Sequence, residues 1–338
     1  ILFWTVFMSQ PRFFMKRLFE KILIDAIAQR VSDIHFIPIE HAVLIKFRVN
    51  DMLLNYESIE ITTYQKLLTF MKFLSGLDVS TYHQAQSGQT TFKHQMLYNL
   101  RVSTLPLSLG MESCVIRVSP QYFTQEFECE GPKHFHHLMN KKQGLILFTG
   151  PTGSGKSTMM YEMVSFAKEK LNLNIITVED PVEKRIPGIT QISVNEKAGI
   201  NYESSFKAIL RCDPDIILIG EIREASIAKC VIQASLSGHL VLSTLHSNDC
   251  EGALLRLLEM GITPQEAQQA IALISNQRLV TNQSGHRELA YETLYQSDIQ
   301  YFFKNNHMLP KHFIKLSKVL SQMNKEGVIC EEVFKRYT

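Results

Sequence analysis

Apolar residues in the first third of the chain change period several times, and each change marks an element. In Lys16–Gln29 they fall at Leu18, Phe19, Ile22, Leu23, Ala26 and Ile27, the spacing of one buried helical stripe. Ser32 and Asp33 break that period. His35–Ile39 and Val43–Val49 read as strands joined by a turn around Pro38–His41. In the second, Lys46 and Arg48 alternate with Ile45, Phe47 and Val49, as on a half-buried strand. Ile61–Leu74 returns to helical spacing, and Thr90–Lys93, Leu97–Ser103 and Ser113–Val118 are further strand candidates. This mixture predicts a small α+β domain over residues 15–120.

The pattern from Gly144 onward is different. Leu145–Phe148, Ile175–Val178, Ile216–Ile219 and Leu240–Ser243 are short, continuously apolar runs separated by helical segments. Such runs fit strands buried on both faces of a parallel sheet, and strand–helix alternation predicts a doubly wound α/β domain with a mostly parallel sheet. We assign it residues 141–338, ending in helices. Pro120–Pro132 has no period and several Glu and Gln residues, so 121–140 reads as a linker. Residues 1–14 stand apart. Ile1–Met8 is apolar except for Thr5, far short of the roughly 20 apolar residues of a membrane span. It reads either as an over-called start, with translation beginning at Met15, or as a short apolar tail that touches a membrane.

Composition adds little. The chain has 338 residues, 45% hydrophobic and 20% charged, with a net charge of +2. Those values fit an ordinary globular protein of about two domains at roughly 150 residues each. No basic stripe stands out, so direct nucleic-acid binding is not expected. Cys114, Cys129, Cys212, Cys230, Cys250 and Cys330 contain no closely spaced pair and read as reduced thiols.

The chemistry concentrates at Gly150-Pro151-Thr152-Gly153-Ser154-Gly155-Lys156-Ser157-Thr158, which fits GxxxxGK[ST] between the strand Leu145–Phe148 and a helix from about Ser157. Glycines let successive backbone N–H groups face phosphate oxygens, and the helix N-terminus favours negative charge there. Lys156 would reach the β- and γ-phosphates of ATP, and the Ser157 hydroxyl would ligate Mg²⁺. Two acids stand at the ends of apolar strands, where ligands bind in open α/β sheets: Glu179, beside Asp180, and Glu221. Each could hold the metal or act on the attacking water. His239 and His246 bracket the strand Leu240–Ser243 and read as either structural residues or γ-phosphate contacts. Arg48, Arg101 and Arg117 lie on strand candidates of the first domain. They are either solvated charges or phosphate-gripping groups.

Dense motifs carry a resemblance. TGPTGSGKST (Thr149–Thr158), ITVEDPVE (Ile176–Glu183), LRCDPDIILIGEIRE (Leu210–Glu224) and SGHLVLSTLHSND (Ser237–Asp249) resemble, in order, the Walker A, Asp box, Walker B and His box of the type II secretion and type IV pilus assembly ATPases. SDIHFIP (Ser32–Pro38), KFRVND (Lys46–Asp51) and LRVSTLP (Leu100–Pro106) are similar to that family's N-terminal nucleotide-gripping domain. The resemblance covers about residues 16–300.

It implies a RecA-like ATPase domain with ATP and Mg²⁺ as ligands. Glu179 and Glu221 would share water activation and metal holding, and His246 would be catalytic. His239, Arg48, Arg101 and Arg117 would approach nucleotide. The implied assembly is a homohexamer docked on a polytopic platform protein at the cytoplasmic face of the membrane. Larger members carry an extra N-terminal domain for which this length leaves no room. Many have a four-cysteine zinc segment, whereas Arg278–Leu294 has no cysteine, so no zinc is expected. The stretch Gln86-Ser-Gly-Gln89 replaces a frequent Gly-Arg and removes one arginine from the expected contacts. The short form resembles the competence pseudopilus ATPases, which implies a motor for DNA uptake. A retraction motor and a non-hydrolysing nucleotide-binding scaffold are the alternatives.

Overall fold

Pro11 opens the first helix, a position where a missing N–H costs nothing. This helix, α1 (Pro11–Ala28), begins ahead of Met15 and buries Phe19, Ile22, Leu23 and Ala26 from the expected stripe. In the computed structural model the described residues are 11–50, 52–108, 110–123, 131–195 and 198–337. Ile1–Met8, Cys129 and residues 124–130 of the expected linker fall outside them. By internal packing the chain divides into two units, Ile1–Tyr122 and Phe123–Thr338.

The first unit continues with β1 (Asp33–Pro38), β2 (Val43–Val49), β3 (Met52–Ile59), α2 (Ile61–Leu74), β4 (Gln86–His94), β5 (Met96–Pro106) and β6 (Glu112–Pro120). The strands form one sheet in the order β3-β2-β1-β6-β5-β4, with every pairing antiparallel. Alternation divides its faces. Ile34, Phe36, Ile45, Phe47, Val102 and Ile116 point to the side where α1 and α2 supply Leu23, Leu67 and Met71, and these residues form one core. Strand β3 was not expected from the sequence. Met52, Leu53 and Leu54 on it are all exposed, so the strand has no two-residue rhythm of burial.

The second unit starts with a 3-10 segment at Gly131–Asn140. There follow β7 (Gly144–Thr149), α3 (Lys156–Phe166), β8 (Ile175–Glu179), β9 (Thr190–Ser193), α4 (Tyr202–Ile209), β10 (Ile216–Ile219), α5 (Ala225–Leu236) and β11 (Leu240–Leu245). The unit ends with α6 (Cys250–Glu259), α7 (Pro264–Ala270), β12 (Ile271–Thr281), β13 (Arg287–Tyr295), α8 (Gln296–Lys304), α9 (Leu316–Lys325) and α10 (Glu331–Tyr337).

Its sheet runs β13-β12-β7-β11-β10-β8-β9; only β13 is antiparallel to its neighbour. The central strands are buried on both faces, as continuous apolar runs require. One face packs on α5, α6 and α7, the other on α3. Local chemistry fixes the helix starts. Asp249 accepts the Gly252 N–H to cap α6, and Thr263 and Glu266 form a reciprocal capping box on α7, with Pro264 at its first turn. Among the described residues no helix is long and apolar enough to cross a membrane.

Candidate active site

All parallel strands of the second unit end on one edge of the sheet, and the loop leaving β7 lies at its centre. Residues Gly150–Gly155 turn there before α3 begins at Lys156, with Ser157 and Thr158 next in its first turn. Pro151, Thr152 and Gly153 are exposed, whereas Ser154 and Lys156 are buried. Gly150 has φ 137°, and a Cβ there would sit 2.6 Å from the Gln277 carbonyl oxygen, so no side chain fits. Lys156 donates to the carbonyls of Gly150 and Pro151, each at 2.8 Å. Burial pulls its ammonium below the usual lysine value, while the nearby Glu221 charge opposes that shift.

Strand β12 props the loop from one side. Gln277 Nε2 donates to the Ser154 carbonyl at 2.7 Å. Arg278 donates to the Gln277 carbonyl at 2.9 Å and to the Asn248 carbonyl at 3.1 Å. The Ser154 hydroxyl and the Gln277 side-chain oxygen are buried without a hydrogen-bond partner. Of the two, the Ser154 hydroxyl can donate, which suits an anionic ligand with many acceptor oxygens at the mouth of a glycine turn; the Gln277 oxygen can only accept.

The two strand-end acids differ sharply. Glu179, the last residue of β8, is 5% exposed. Its carboxylate accepts from Tyr161 of α3, from Thr177 at 2.6 Å and from Gln191 at 3.3 Å. Burial nevertheless raises its pKa, against those three donors. Glu221, just after β10, is more open. Its Oε1 lies 3.1 Å from His246 Nε2, and its Oε2 accepts from Arg223 Nε at 2.9 Å. Arg223 also reaches Asp180 at 3.0 Å. Asp180, Arg223, Glu221 and His246 thus form one chain of polar contacts across the ends of β8, β10 and β11, beside Lys156. Tyr202 borders this chain, its hydroxyl pushed up to about 12 by burial, with the Asp180 charge adding to it.

His239 does not join this group. Strand β11 pairs in register with β7, Leu240 opposite Gly144 and Leu245 opposite Thr149. The residue before β11 therefore sits at the opposite edge of the sheet, ~20 Å from the loop at about 3.3 Å per residue. There His239 lines a separate cleft with Lys141, Lys142, Asp213 and Asp215. Two histidines that bracket one strand cannot share an edge; only His246 reaches the loop side.

In the first unit, pairing lines up the expected arginines. Arg48 of β2 is opposite Asp33 of β1, Asp33 is opposite Arg117 of β6, and Arg117 is opposite Arg101 of β5. Gln89 of β4 completes the row opposite Arg101. Directly opposed residues share a face, and this row is on the face away from α1 and α2. Arg117 Nε donates to Asp33 at 3.0 Å, and Arg101 Nε donates to Ser87 at 3.1 Å. Arg117 stays largely exposed despite its partner. Burial, with the Arg48 charge adding to it, pulls neighbouring His35 below the ordinary histidine value.

The motifs singled out the loop, Glu179, Glu221 and His246. Arg223, Gln277 and Arg278 were missed. Arg223 carried a usable signal, two residues after Glu221; Gln277 and Arg278 lie in no motif and enter only through the pairing of β12 with β7.

The family described as type II/IV secretion system protein matches residues 10–321. Competence protein ComGA of Bacillus subtilis is 38% identical over 319 residues, covering 87% of this chain and 89% of that protein. The ComGA of Halalkalibacterium halodurans is 40% identical, covering 77% of each. Type II secretion system protein E of Dickeya dadantii is 38% identical over 78% of this chain and 54% of its own length. Among solved structures, the Legionella pneumophila ATPase DotB superposes with a TM-score of 0.77 at 19% identity, covering 94% of each chain. The pilus retraction motor PilT with bound ADP superposes at 0.69 and 24% identity, covering 94% of this chain and 96% of that one. At those identities the structures speak to the fold.

Proposed function

Because the chain belongs to the type II/IV secretion ATPase family, we propose that this ATPase is the motor that assembles a competence pseudopilus for DNA uptake. The observation that carries this reading is the match to a competence protein along 89% of that protein's length. The proposed assembly is a homohexamer on the cytoplasmic face of the membrane, docked on a polytopic platform protein. DNA is the cargo of the larger machine and is not gripped by this chain.

The reaction is attack of water on the γ-phosphate of ATP, giving ADP and phosphate. The loop Gly150–Ser157 would hold the phosphates through backbone N–H groups, with Lys156 turning from its own carbonyls to the β- and γ-oxygens. The Ser157 hydroxyl and Glu221 would hold Mg²⁺, which neutralises charge on the phosphates when bound. Of the two acids, Glu221 is our choice to face the nucleotide, since its charge acts on Lys156 and its carboxylate is partly open. Glu179, enclosed by three donors, would set the position of α3 behind the loop. His246, 3.1 Å from Glu221 Oε1, would be held by that carboxylate beside the attacking water. Positioning and electrostatics supply most of the rate in such reactions. Arg48, Arg101 and Arg117 would complete the site within the ring, where a guanidinium offsets charge that grows on the transferring group.

Deleting the gene, while scoring filament assembly separately from DNA uptake, tests the reading. An assembly motor loses both, and the chain with Lys156→Ala restores neither. Filaments that persist while uptake fails would indicate a retraction motor. Full restoration by Lys156→Ala would indicate a scaffold that does not hydrolyse ATP.

A further inference from the structure

Glu292 of β13 belongs to none of the motifs and is 4% exposed. A buried carboxylate must find donors, and those it has come from three separate elements. Its Oε1 accepts the backbone N–H of Cys250 at 2.8 Å and lies 3.4 Å from Asn276 Nδ2. Its Oε2 accepts the backbone N–H of Leu316 at 2.6 Å. Cys250 and Leu316 are the first residues of α6 and α9, so one negative charge serves the positive ends of two helices. No side chain of the N-cap residue Lys315 caps α9; Glu292 does so from a strand.

The same carboxylate is linked towards the nucleotide loop through Asn276 of β12. Asn276 Nδ2, held by Glu292, also donates to the Asn248 carbonyl at 2.9 Å, and Arg278 donates to that carbonyl at 3.1 Å. Asn248 belongs to the turn that follows His246 and precedes the Asp249 cap of α6. On the other side Gln277 and Arg278 support Ser154 and Gly150. Thr149 Oγ1 ties the base of the loop to the Ser247 carbonyl at 3.3 Å.

We infer that Glu292 is a positioning residue that couples the C-terminal helices, beginning at α9, to the nucleotide site through the 246–249 turn and β12. Displacement of the α9 start would move the carboxylate, and with it the turn that presents His246 to Glu221. The inference rests on Gly150–Ser157 being the ATP site. If that reading is wrong, Lys156→Ala will hydrolyse ATP normally, whatever Glu292 does.

Glu292→Gln tests the coupling, because it keeps the shape but replaces one acceptor oxygen by a donor amide. On full-length protein we expect a KM for ATP raised about tenfold, the scale of losing one hydrogen bond to a charged group, with a smaller change in kcat. Amide hydrogen exchange should quicken together at residues 249–251 and 316–318, and added ATP should slow both. Faster exchange at 316–318 alone, with KM unchanged, would overturn the inference and leave Glu292 a helix cap. If the Gln variant fails to fold, Leu316→Pro removes the α9 N–H at a helix position that accepts proline, with Leu316→Ala as the control for the buried side chain it also trims. We then expect faster exchange at 249–251 and a raised KM; unchanged values at both would equally overturn it.

Discussion

The two sheets of this protein place their charged groups by opposite rules. In the second unit the strands are parallel and buried on both faces, so polar chemistry is confined to the strand ends, and the loop after β7, Glu179, Glu221 and His246 gather on one edge. In the first unit the strands are antiparallel and covered by helices on one side only. Charge therefore runs across the middle of the open face, from Arg48 through Asp33 and Arg117 to Arg101. A strand-end residue can be backed by helix dipoles and by buried neighbours. A mid-strand residue on an open face relies on its cross-strand partners and on whatever comes to cover it.

Removing the centre of the strand-end site should have the largest effect. Lys156→Ala is expected to cost on the order of 10³-fold or more in ATP hydrolysis, since in the proposed site the ammonium would reach the transferring group. The fold should survive, with melting close to wild type, because Lys156 is tied only to two carbonyls of its own loop. Phosphate-release assays and thermal melts on the same sample check both halves.

Glu221→Gln comes next. The amide is neither a base nor a good metal ligand, and turnover should fall on the order of 10²-fold. Binding of a fluorescent nucleotide with Mg²⁺ should persist. Turnover within a few-fold of wild type would remove Glu221 from the chemistry and point back to Glu179.

The open-face arginines should show an effect that depends on assembly. Arg101→Ala and Arg117→Ala are each expected to lower activity about tenfold, less than the loss of a donor in direct contact with the reacting group. Titrated into wild-type protein at fixed total concentration, they should reduce activity non-linearly with mutant fraction. Strictly proportional loss, with wild-type specific activity independent of concentration, would leave both as structural strand residues.

The smallest effect is expected at the far edge of the parallel sheet. His239→Ala should change ATP hydrolysis within about twofold, the scatter of remote surface substitutions. A loss comparable to that of His246→Ala would mean that the edge rule does not confine the chemistry.

These placements also explain what could be read from the chain. Val43–Val49 and Ile61–Leu74 were legible to the residue because one face of each is buried and the period is clean. Strand β3 was not, since Met52 is 59% exposed and its neighbours are also open, so the strand lacks the signal that burial imposes. Strand β12 was hidden for the reverse reason. Ser275, Asn276 and Gln277 are fully buried polar residues, and the partners of the Asn276 and Gln277 amide nitrogens are tertiary ones that no local pattern reveals. The loop and its acids were visible because phosphate binding demands particular residues at fixed spacing. Arg278 and Glu292 act through partners brought near by β12 and β13, and sequence distance conceals that. The distance of His239 from the loop could have been read from strand direction alone, given a parallel sheet.

The central place of β7 has a mechanical side. Its backbone is laced to β11 along residues 144–149 and to β12 along most of the same length. A pull on the loop along the strand axis would load both ladders in shear, so that all their bonds resist at once, whereas an edge strand such as β3, paired on one side, can be peeled one bond at a time. In this unit the loop leaves one of the five strands that have a neighbour on each side, so its base is held by two ladders and cannot be peeled from one.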